Sequence, residues 1–178
     1  MIDIETDRLI LRLVPLAGLA ATAAKDAETC RRLIGRSLPK AWFEDAWVFD
    51  LRLNQWKDDP DYAPWSIRAM ILKETGDIVG SINCHDKPLA FEHDGETGPM
   101  IEMGYTVFGP FRRQGIATEA INGLAAMARQ KSVRWVRLSI SPANEASLAL
   151  ARKLGAIKIG TQVDDIDGPE DVFLCALG

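Results

Sequence analysis

The stretch "IEMGYTVFGPFRRQGIATEA", residues 101–120, decides how the rest of the chain is read. Its first part alternates: Ile101, Met103, Tyr105 and Val107 take one face and Glu102, Gly104 and Thr106 the other, the period of a strand. Its last part opens an amphipathic helix. Ala117, Ala120, Ile121, Leu124, Ala125 and Ala128 fall at helical spacing, and Arg129 and Lys131 supply the charge that a helix C-terminus favours. Between the two lies "GPFRRQG", which puts Arg112 and Arg113 just before the helix start. Helix starts favour acidic side chains, because their unpaired N–H groups carry partial positive charge. Here the local charge has the opposite sign, as it would if an anion were to sit there. A strand running through a glycine-containing loop into a helix gathers several N–H groups and the helix dipole on one spot. Gly115 lets the backbone come close to a ligand, and the two arginines add mobile positive charge, so a pyrophosphate fits. The competing reading is a solvated surface turn. The patterns G-x-x-x-x-G-K-S/T and G-x-G-x-x-G are both absent, which supports neither an ATPase loop nor a dinucleotide fold.

Outward toward the N-terminus, "WSIRAMIL" (65–72) and "DIVGSINC" (77–84) are β-type runs joined by "KETG", an antiparallel hairpin with Gly76 in the turn. Residues 85–99 are mostly polar or acidic and predict a long exposed loop carrying Glu92, Asp94 and Glu96. "DRLILRLV" (7–14) puts Leu9, Leu11 and Leu13 on one face of a strand, with Arg8, Ile10 and Arg12 on the other. Residues 16–34 and 43–56 read as helical, broken at Gly35 and Pro39 and stopped by "DDPDYAP". Toward the C-terminus, "VRWVRLSI" (133–140) is another strand. Strand, helix and strand in that order make a right-handed parallel unit, so the strands at 101–107 and 133–140 should be neighbours. "NEASLALARKLGA" is a helix capped by Asn144 and closed by Arg152, Lys153 and Gly155. Two short strands, 156–162 and 171–177, flank the acidic loop "VDDIDGPED". The fold class is mixed α/β, antiparallel first and parallel in the middle. At 178 residues, without repeats, the chain reads as a single domain spanning 1–178.

Composition sets outer bounds. With 47 % apolar and 26 % charged residues the chain is of the globular type. A formal net charge of -4 gives no overall basic field for nucleic acid or anionic lipid, so any polyanion site is local. Cys30, Cys84 and Cys175 are odd in number and far apart, and only His85 and His93 could join them, so no metal is expected. The apolar stretch "LILRLVPLAGLAATAA" follows an acidic start and is interrupted by Arg12 and Pro15, unlike a signal peptide, and no run reaches membrane-span length. A cytoplasmic protein without membrane or nucleic-acid partner is the expectation.

Arg112-x-x-Gly115-x-Ala117 resembles the R/Q-x-x-G-x-G/A motif of the GNAT acetyltransferase superfamily, whose backbone amides hold the pyrophosphate of acetyl-CoA. The opening "TDRLILR", the "IEMGY" strand and N-x-x-S-x-x-x-A-x-K-L-G from Asn144 look more narrowly like its RimJ/RimL branch of ribosomal-protein N-terminal acetyltransferases. The similarity runs in order from Thr6 to Ala156. It implies a mostly antiparallel mixed sheet, flanked by helices and splayed at a central parallel pair, with the pantetheine arm in the opening. It also implies that the backbone at Thr106 and Val107 pairs with the pantetheine amides. Arg112, Arg113, Gln114, Gly115, Ile116, Ala117 and Thr118 would hold the pyrophosphate, and Asn144 would reach the pantetheine arm.

Acyl transfer from a thioester to an amine needs a proton acceptor, donors for the oxyanion and a way to release the thiolate. Glu102, on the polar face of its strand, is the first candidate base, directly or through water; its structural alternative is an ordinary ion pair. Many superfamily members carry a thiolate-protonating tyrosine seven residues after the motif asparagine, where this chain has Ala151. That departure turns attention to Ser147, which could equally bond back to the preceding helical turn. Tyr105 falls on the face opposite Glu102. His85 and His93 flank a predicted loop that could border the acceptor pocket, though loop histidines are usually just solvated. The acidic clusters Glu92/Asp94/Glu96 and Asp164/Asp165/Asp167 read as solvated charge, and Val163 at the first ligand position argues against a calcium loop. Cys84, in an apolar run, reads as core. The acceptor is a primary amine, either a protein N-terminus or a small molecule bounded by the tryptophan-rich segment 42–65, and the protein a monomer or homodimer. The competing class is a non-catalytic acyl-CoA-binding sensor or interaction module.

Overall fold

The computed structural model describes residues 3–34, 38–166 and 168–178. The elements in chain order are β1 (Ile4–Glu5), β2 (Leu9–Leu13), α1 (Leu16–Ala23), α2 (Ala27–Ile34), α3 (Ala46–Asp58), β3 (Arg68–Leu72), β4 (Ile78–Cys84), β5 (Leu89–His93), β6 (Glu96–Val107), α4 (Ile116–Gln130), β7 (Trp135–Ile140), α5 (Glu145–Lys153), β8 (Ile157–Asp164) and β9 (Gly168–Ala176). The fold is mixed α/β, as expected. Its strand pairings are antiparallel except for one parallel pair, β6 with β7, among the described residues. Residues 1–87 and 105–124 form one compact unit, and residues 88–104 and 125–178 another.

In the first unit β1 to β4 pair in sequence order, antiparallel throughout. Leu9 and Leu11 are fully buried and Leu13 nearly so, the alternation read from the sequence. Gly76, at φ 72°, turns β3 into β4. The end of β6 runs beside β4, where Phe108 N–H donates to the Val79 carbonyl at 2.9 Å and a side chain at Gly80 would run into the Thr106 carbonyl. The helical layer differs from the uninterrupted segment expected over 16–34. Lys25 adopts left-handed φ of 56°, α1 ends, and Asp26 restarts the helix by accepting the Thr29 N–H at 3.1 Å. Gly35, the expected break, lies outside the described residues. The second helical segment also starts later than predicted: 40–43 is a short 3₁₀ turn and α3 begins at Ala46. Trp42, Trp56 and Trp65 are buried, and the Trp42 and Phe49 rings meet at 4.9 Å; Trp47 is half-exposed. Arg52, only 8 % exposed, ties α3 to the end of β4, donating to Asn83 Oδ1 at 3.0 Å, Gln55 Oε1 at 2.9 Å and the His85 carbonyl at 2.8 Å.

In the second unit the strand order is β5-β6-β7-β9-β8. The parallel register sets Glu102 opposite Arg137, as the strand–helix–strand order requires. The loop expected over 85–99 is instead a hairpin: Leu89 pairs with Met100 and His93 with Glu96, around Asp94 (φ 50°) and Gly95 (φ 76°). Two successive left-handed residues twist a two-residue turn to match its strands, and Asp-Gly is a favoured pair for it. Phe91, on this hairpin, packs edge-on to Trp135 at 5.7 Å and joins an apolar patch with Met100, Leu174 and Ile159. The C-terminal acidic loop is shorter than predicted, because β8 runs to Asp164 and β9 starts at Gly168. Asp167 of that cluster lies outside the described residues. Asp164 Oδ1 accepts the Ile166 N–H at 2.8 Å in the turn.

Candidate active site

The expected anion loop lies in the first unit. Phe108 is buried and anchors a short 3₁₀ turn, Gly109–Phe111, after which Arg112 is extended, Arg113 takes φ of 61° and Gly115 takes φ of 79°. A non-glycine residue with left-handed backbone is uncommon and marks a constrained segment. Successive N–H groups in alternating handedness turn inward to make an anion-binding concavity. The α4 start continues it, because the N–H groups of Ile116, Ala117 and Thr118 have no intrahelical acceptor. These residues therefore fit the diphosphate that the sequence suggests. Arg112 folds back, its Nε donating to the Val107 carbonyl at 2.8 Å, so the strand end and the loop are directly joined. Gln114 Nε2 donates to the Pro110 carbonyl at 3.0 Å.

Arg8 belongs to the same loop, which the sequence reading missed. Its Nη1 donates to the Gln114 carbonyl at 3.0 Å, and its Nη2 stands 3.4 Å from where a Cβ on Gly115 would be. Glu119, in the first turns of α4, holds it there: Oε2 accepts Arg8 Nε at 2.7 Å, and Oε1 accepts the Arg8 N–H at 2.7 Å and the Thr6 hydroxyl at 2.6 Å. Partial burial would raise the Glu119 carboxyl, but the Thr6 and Arg8 donors outweigh it and hold it below the usual carboxylate range. No local signal could have found this, since Arg8 and Glu119 are 111 residues apart.

Glu102 lies in the second unit, on the strand face predicted for it. Its Oε1 accepts the Ser139 hydroxyl at 2.6 Å, and its Oε2 lies 3.3 Å from Arg137 Nε. Gln162 completes the cluster. Its Nε2 donates to Ser139 Oγ at 3.1 Å and to Glu170 Oε2 at 2.8 Å, while its Oε1 accepts from Arg137 Nη2. The ion pair considered as Glu102's structural alternative is thus present, together with a short hydroxyl bond. Ser139, Arg137 and Gln162 were not singled out in sequence. The alternation of "VRWVRLSI" puts Arg137 and Ser139 on one face, but only strand register brings them to Glu102.

Asn144 and Ser147 meet at the start of α5, where Asn144 Oδ1 accepts the Ser147 N–H at 3.1 Å as a helix cap. Ala151 is fully buried and offers no hydroxyl. Cys84 is fully buried too; burial pushes its thiol up to about 12, leaving it neutral and a poor nucleophile. His85 uses its carbonyl for Arg52 and Gln55, and His93 stacks on Phe91 with its Nε2 3.5 Å from Asp94 Oδ2. Among the described residues no three His, Cys, Asp or Glu side chains gather as a metal site, and no helix is long and apolar enough to cross a membrane.

Comparison with known proteins gives this arrangement its family. No curated protein matches the chain in sequence. Among solved structures, the chain is similar to an acetyltransferase from Agrobacterium tumefaciens str. C58 (22 % identity, TM-score 0.63, covering 98 % of this chain and 94 % of that one). It is also similar to the ribosomal-protein-S5-alanine acetyltransferase from Vibrio fischeri (16 % identity, TM-score 0.65, 99 % and 97 %). A third likeness is to the microcin C7 self-immunity acetyltransferase MccE, solved in complex with acetyl-CoA and AMP (17 % identity, TM-score 0.63, 96 % and 93 %). These likenesses carry the fold. Residues 8–157 match the family described as "Acetyltransferase (GNAT) domain", which takes in the left-handed loop before α4 together with Glu102, Arg137 and Ser139: the chain belongs to the GNAT acetyltransferase family.

Proposed function

We propose that this protein, residues 1–178 acting as one acetyltransferase domain, transfers an acetyl group from acetyl-CoA directly to a primary amine, with Glu102 as the proton acceptor. The observation that carries the reading is the left-handed loop at Arg113 and Gly115 leading into α4, an anion cradle within a family of acetyl-CoA-dependent acyltransferases. Arg112, Arg113 and Gln114, with the backbone N–H groups of Gly115, Ile116, Ala117 and Thr118, bind the diphosphate. The backbone of Thr106 and Val107 and the side chain of Asn144 bind the pantetheine arm. For the first two, the Val107 carbonyl must exchange its bond to Arg112 for one to the ligand. An α-amine titrates near pH 8 and a lysine near pH 10.4, so a carboxylate that takes the ammonium proton, directly or through water, makes attack possible at neutral pH. Glu102 Oε1 accepts the Ser139 hydroxyl and Oε2 is paired with Arg137, contacts that fix the carboxylate in place and support this reading. The amine attacks the thioester carbonyl, and as the tetrahedral adduct collapses to the amide its nitrogen gives up its extra proton, which Ser147 or water relays to the departing thiolate, since residue 151 is alanine. Cys84 takes no part, so no covalent enzyme intermediate forms.

The acceptor is a protein N-terminal α-amine or a small-molecule amine; the RimJ/RimL-type motifs, and structural neighbours that include a ribosomal-protein acetyltransferase, support the former. Three free cysteines support a reducing cytoplasmic setting, and the net charge of -4 supports a partner that is neither nucleic acid nor membrane. The assembly is a monomer or homodimer. The test is release of free CoA thiol from acetyl-CoA across a panel of peptides and small amines, with Glu102→Gln beside the parent. We expect turnover with at least one acceptor class and a loss of at least tenfold in Glu102→Gln with acetyl-CoA affinity unchanged. Retained cofactor binding with no turnover on any amine would assign the chain instead to an acyl-CoA sensor, the reading that Ala151 favours.

A further inference from the structure

Glu102 is one corner of a closed ring of four side chains drawn from β6, β7 and β8. Going round it, Ser139 Oγ donates to Glu102 Oε1, Gln162 Nε2 donates to Ser139 Oγ and Arg137 Nη2 donates to Gln162 Oε1, while an ion pair, with Arg137 Nε 3.3 Å from Glu102 Oε2, closes the ring. Glu170 on β9 is attached from outside through Gln162 Nε2. The ring lies on one sheet face, because Glu102 is in register with Arg137, Gln162 is in register with Glu170, and Ser139 stands two residues beyond Arg137.

The chemistry of the members fixes the direction of every bond. A guanidinium can only donate, so the Gln162 atom facing Arg137 is the carbonyl oxygen; an ionised carboxylate can only accept, so the atom facing Glu170 is the amide nitrogen. Both ends demand the same orientation of the Gln162 amide. One amide proton then occupies a lone pair of Ser139 Oγ. The hydroxyl has a single proton to give, and the acceptor left for it is Glu102. Reversing the amide would set donor against donor at Arg137 and acceptor against acceptor at Glu170.

We propose that Gln162 is a positioning residue for the transfer reaction, aiming the Ser139 proton at Glu102 and so holding that carboxylate in the orientation in which it receives the amine proton. The inference rests on the reading of Glu102 as proton acceptor. It assigns to Ser139 the contact that orients Glu102, and to Gln162 the setting of that contact from β8. Misplacement of a reacting group by about 1 Å can cost about a hundredfold in rate, so loss of one orienting bond is expected to lower kcat by about tenfold.

The experiment measures kcat and the KM for acetyl-CoA in Glu102→Gln, Ser139→Ala, Ser139→Thr, Gln162→Glu and the double variant Ser139→Ala/Gln162→Glu. Gln162→Glu keeps the shape and the acceptor for Arg137 but removes the donor to Ser139. We expect Ser139→Ala and Gln162→Glu each to lower kcat about tenfold with KM unchanged, and Ser139→Thr to retain the parental kcat. The double variant should be no slower than Ser139→Ala, because Gln162 acts through the hydroxyl that variant lacks. Multiplicative losses in the double variant, or a parental kcat in Gln162→Glu alongside a crippled Glu102→Gln, would overturn the role of Gln162 and leave that of Glu102 standing. A parental kcat in Glu102→Gln would overturn both, by the failure of the base itself. If a third carboxylate at the ring prevents folding, Gln162→Met removes the donor without adding charge and carries the same comparison.

Discussion

Arg8 and Glu119 show what a single residue does for the anion loop. Glu119 gathers three donors from Thr6 and Arg8, just before β2, and the arginine it holds reaches on to the Gln114 carbonyl, so this carboxylate ties the chain before β2 to the loop. Its depressed carboxyl has a pH consequence. A group whose folded value lies below its unfolded one stabilises fully above the unfolded value, about 4.3 for glutamate, and that stabilisation is lost as pH falls through the folded value. The melting temperature of Glu119→Gln should therefore lie below that of the parent at pH 7, and the gap should close on acidification below about pH 4.3; a gap independent of pH would contradict the assignment. The role of Gly115 was legible in the sequence, since its φ of 79° is what a glycine before a helix start suggests. Arg113 was legible only as charge. That its backbone also turns left-handed at φ 61° follows from the way the loop closes, and arginine gives no local hint of it.

At the scale of elements, alternation and spacing found the strands and helices whose buried face is continuous. β2, β6, β7, α4 and α5 lie where the sequence places them, within a few residues at their ends. The hairpin of β5 with β6 was missed because Glu92, His93, Asp94 and Glu96 dominate its composition, while Leu89, Ala90 and Phe91 make only a short apolar run. The dipeptide Asp94-Gly95 was the signal available. The break between α1 and α2 was hidden in the same way, in an alanine-rich run where Asp26 alone marks a new cap. Arg52 illustrates an element-level clamp that periodicity treats as an ordinary helical charge. Buried and donating to three neutral acceptors, it joins α3 to the last residues of β4. Arg52→Met keeps the aliphatic volume and removes the donors, and should cost about 2–3 kcal/mol in chemical denaturation; a change under about 0.5 kcal/mol would show the clamp to be idle.

For the molecule as a whole, the family and the general chemistry were legible because they are written in one contiguous stretch, strand, loop and helix start, and in a second capped helix. The Glu102 ring was not, because its members come from positions 102, 137, 139 and 162 and meet only through strand register. The acidic balance of the chain, -4 overall, makes the arginines about the loop a local exception, the one we propose as the diphosphate site. The measurement that tests it most directly is a thermal-melt titration with acetyl-CoA, with CoA and ATP alongside, on the parent and on Gly115→Val. A ligand at about 100 times its dissociation constant adds about 2.7 kcal/mol, or roughly 5–11 °C for a chain of this size. We expect such a rise for the parent with acetyl-CoA and with CoA but not with ATP, and a much smaller one for Gly115→Val, whose branched side chain cannot accept left-handed φ without strain. A parent protein whose melting temperature does not move at millimolar acetyl-CoA would contradict the proposal.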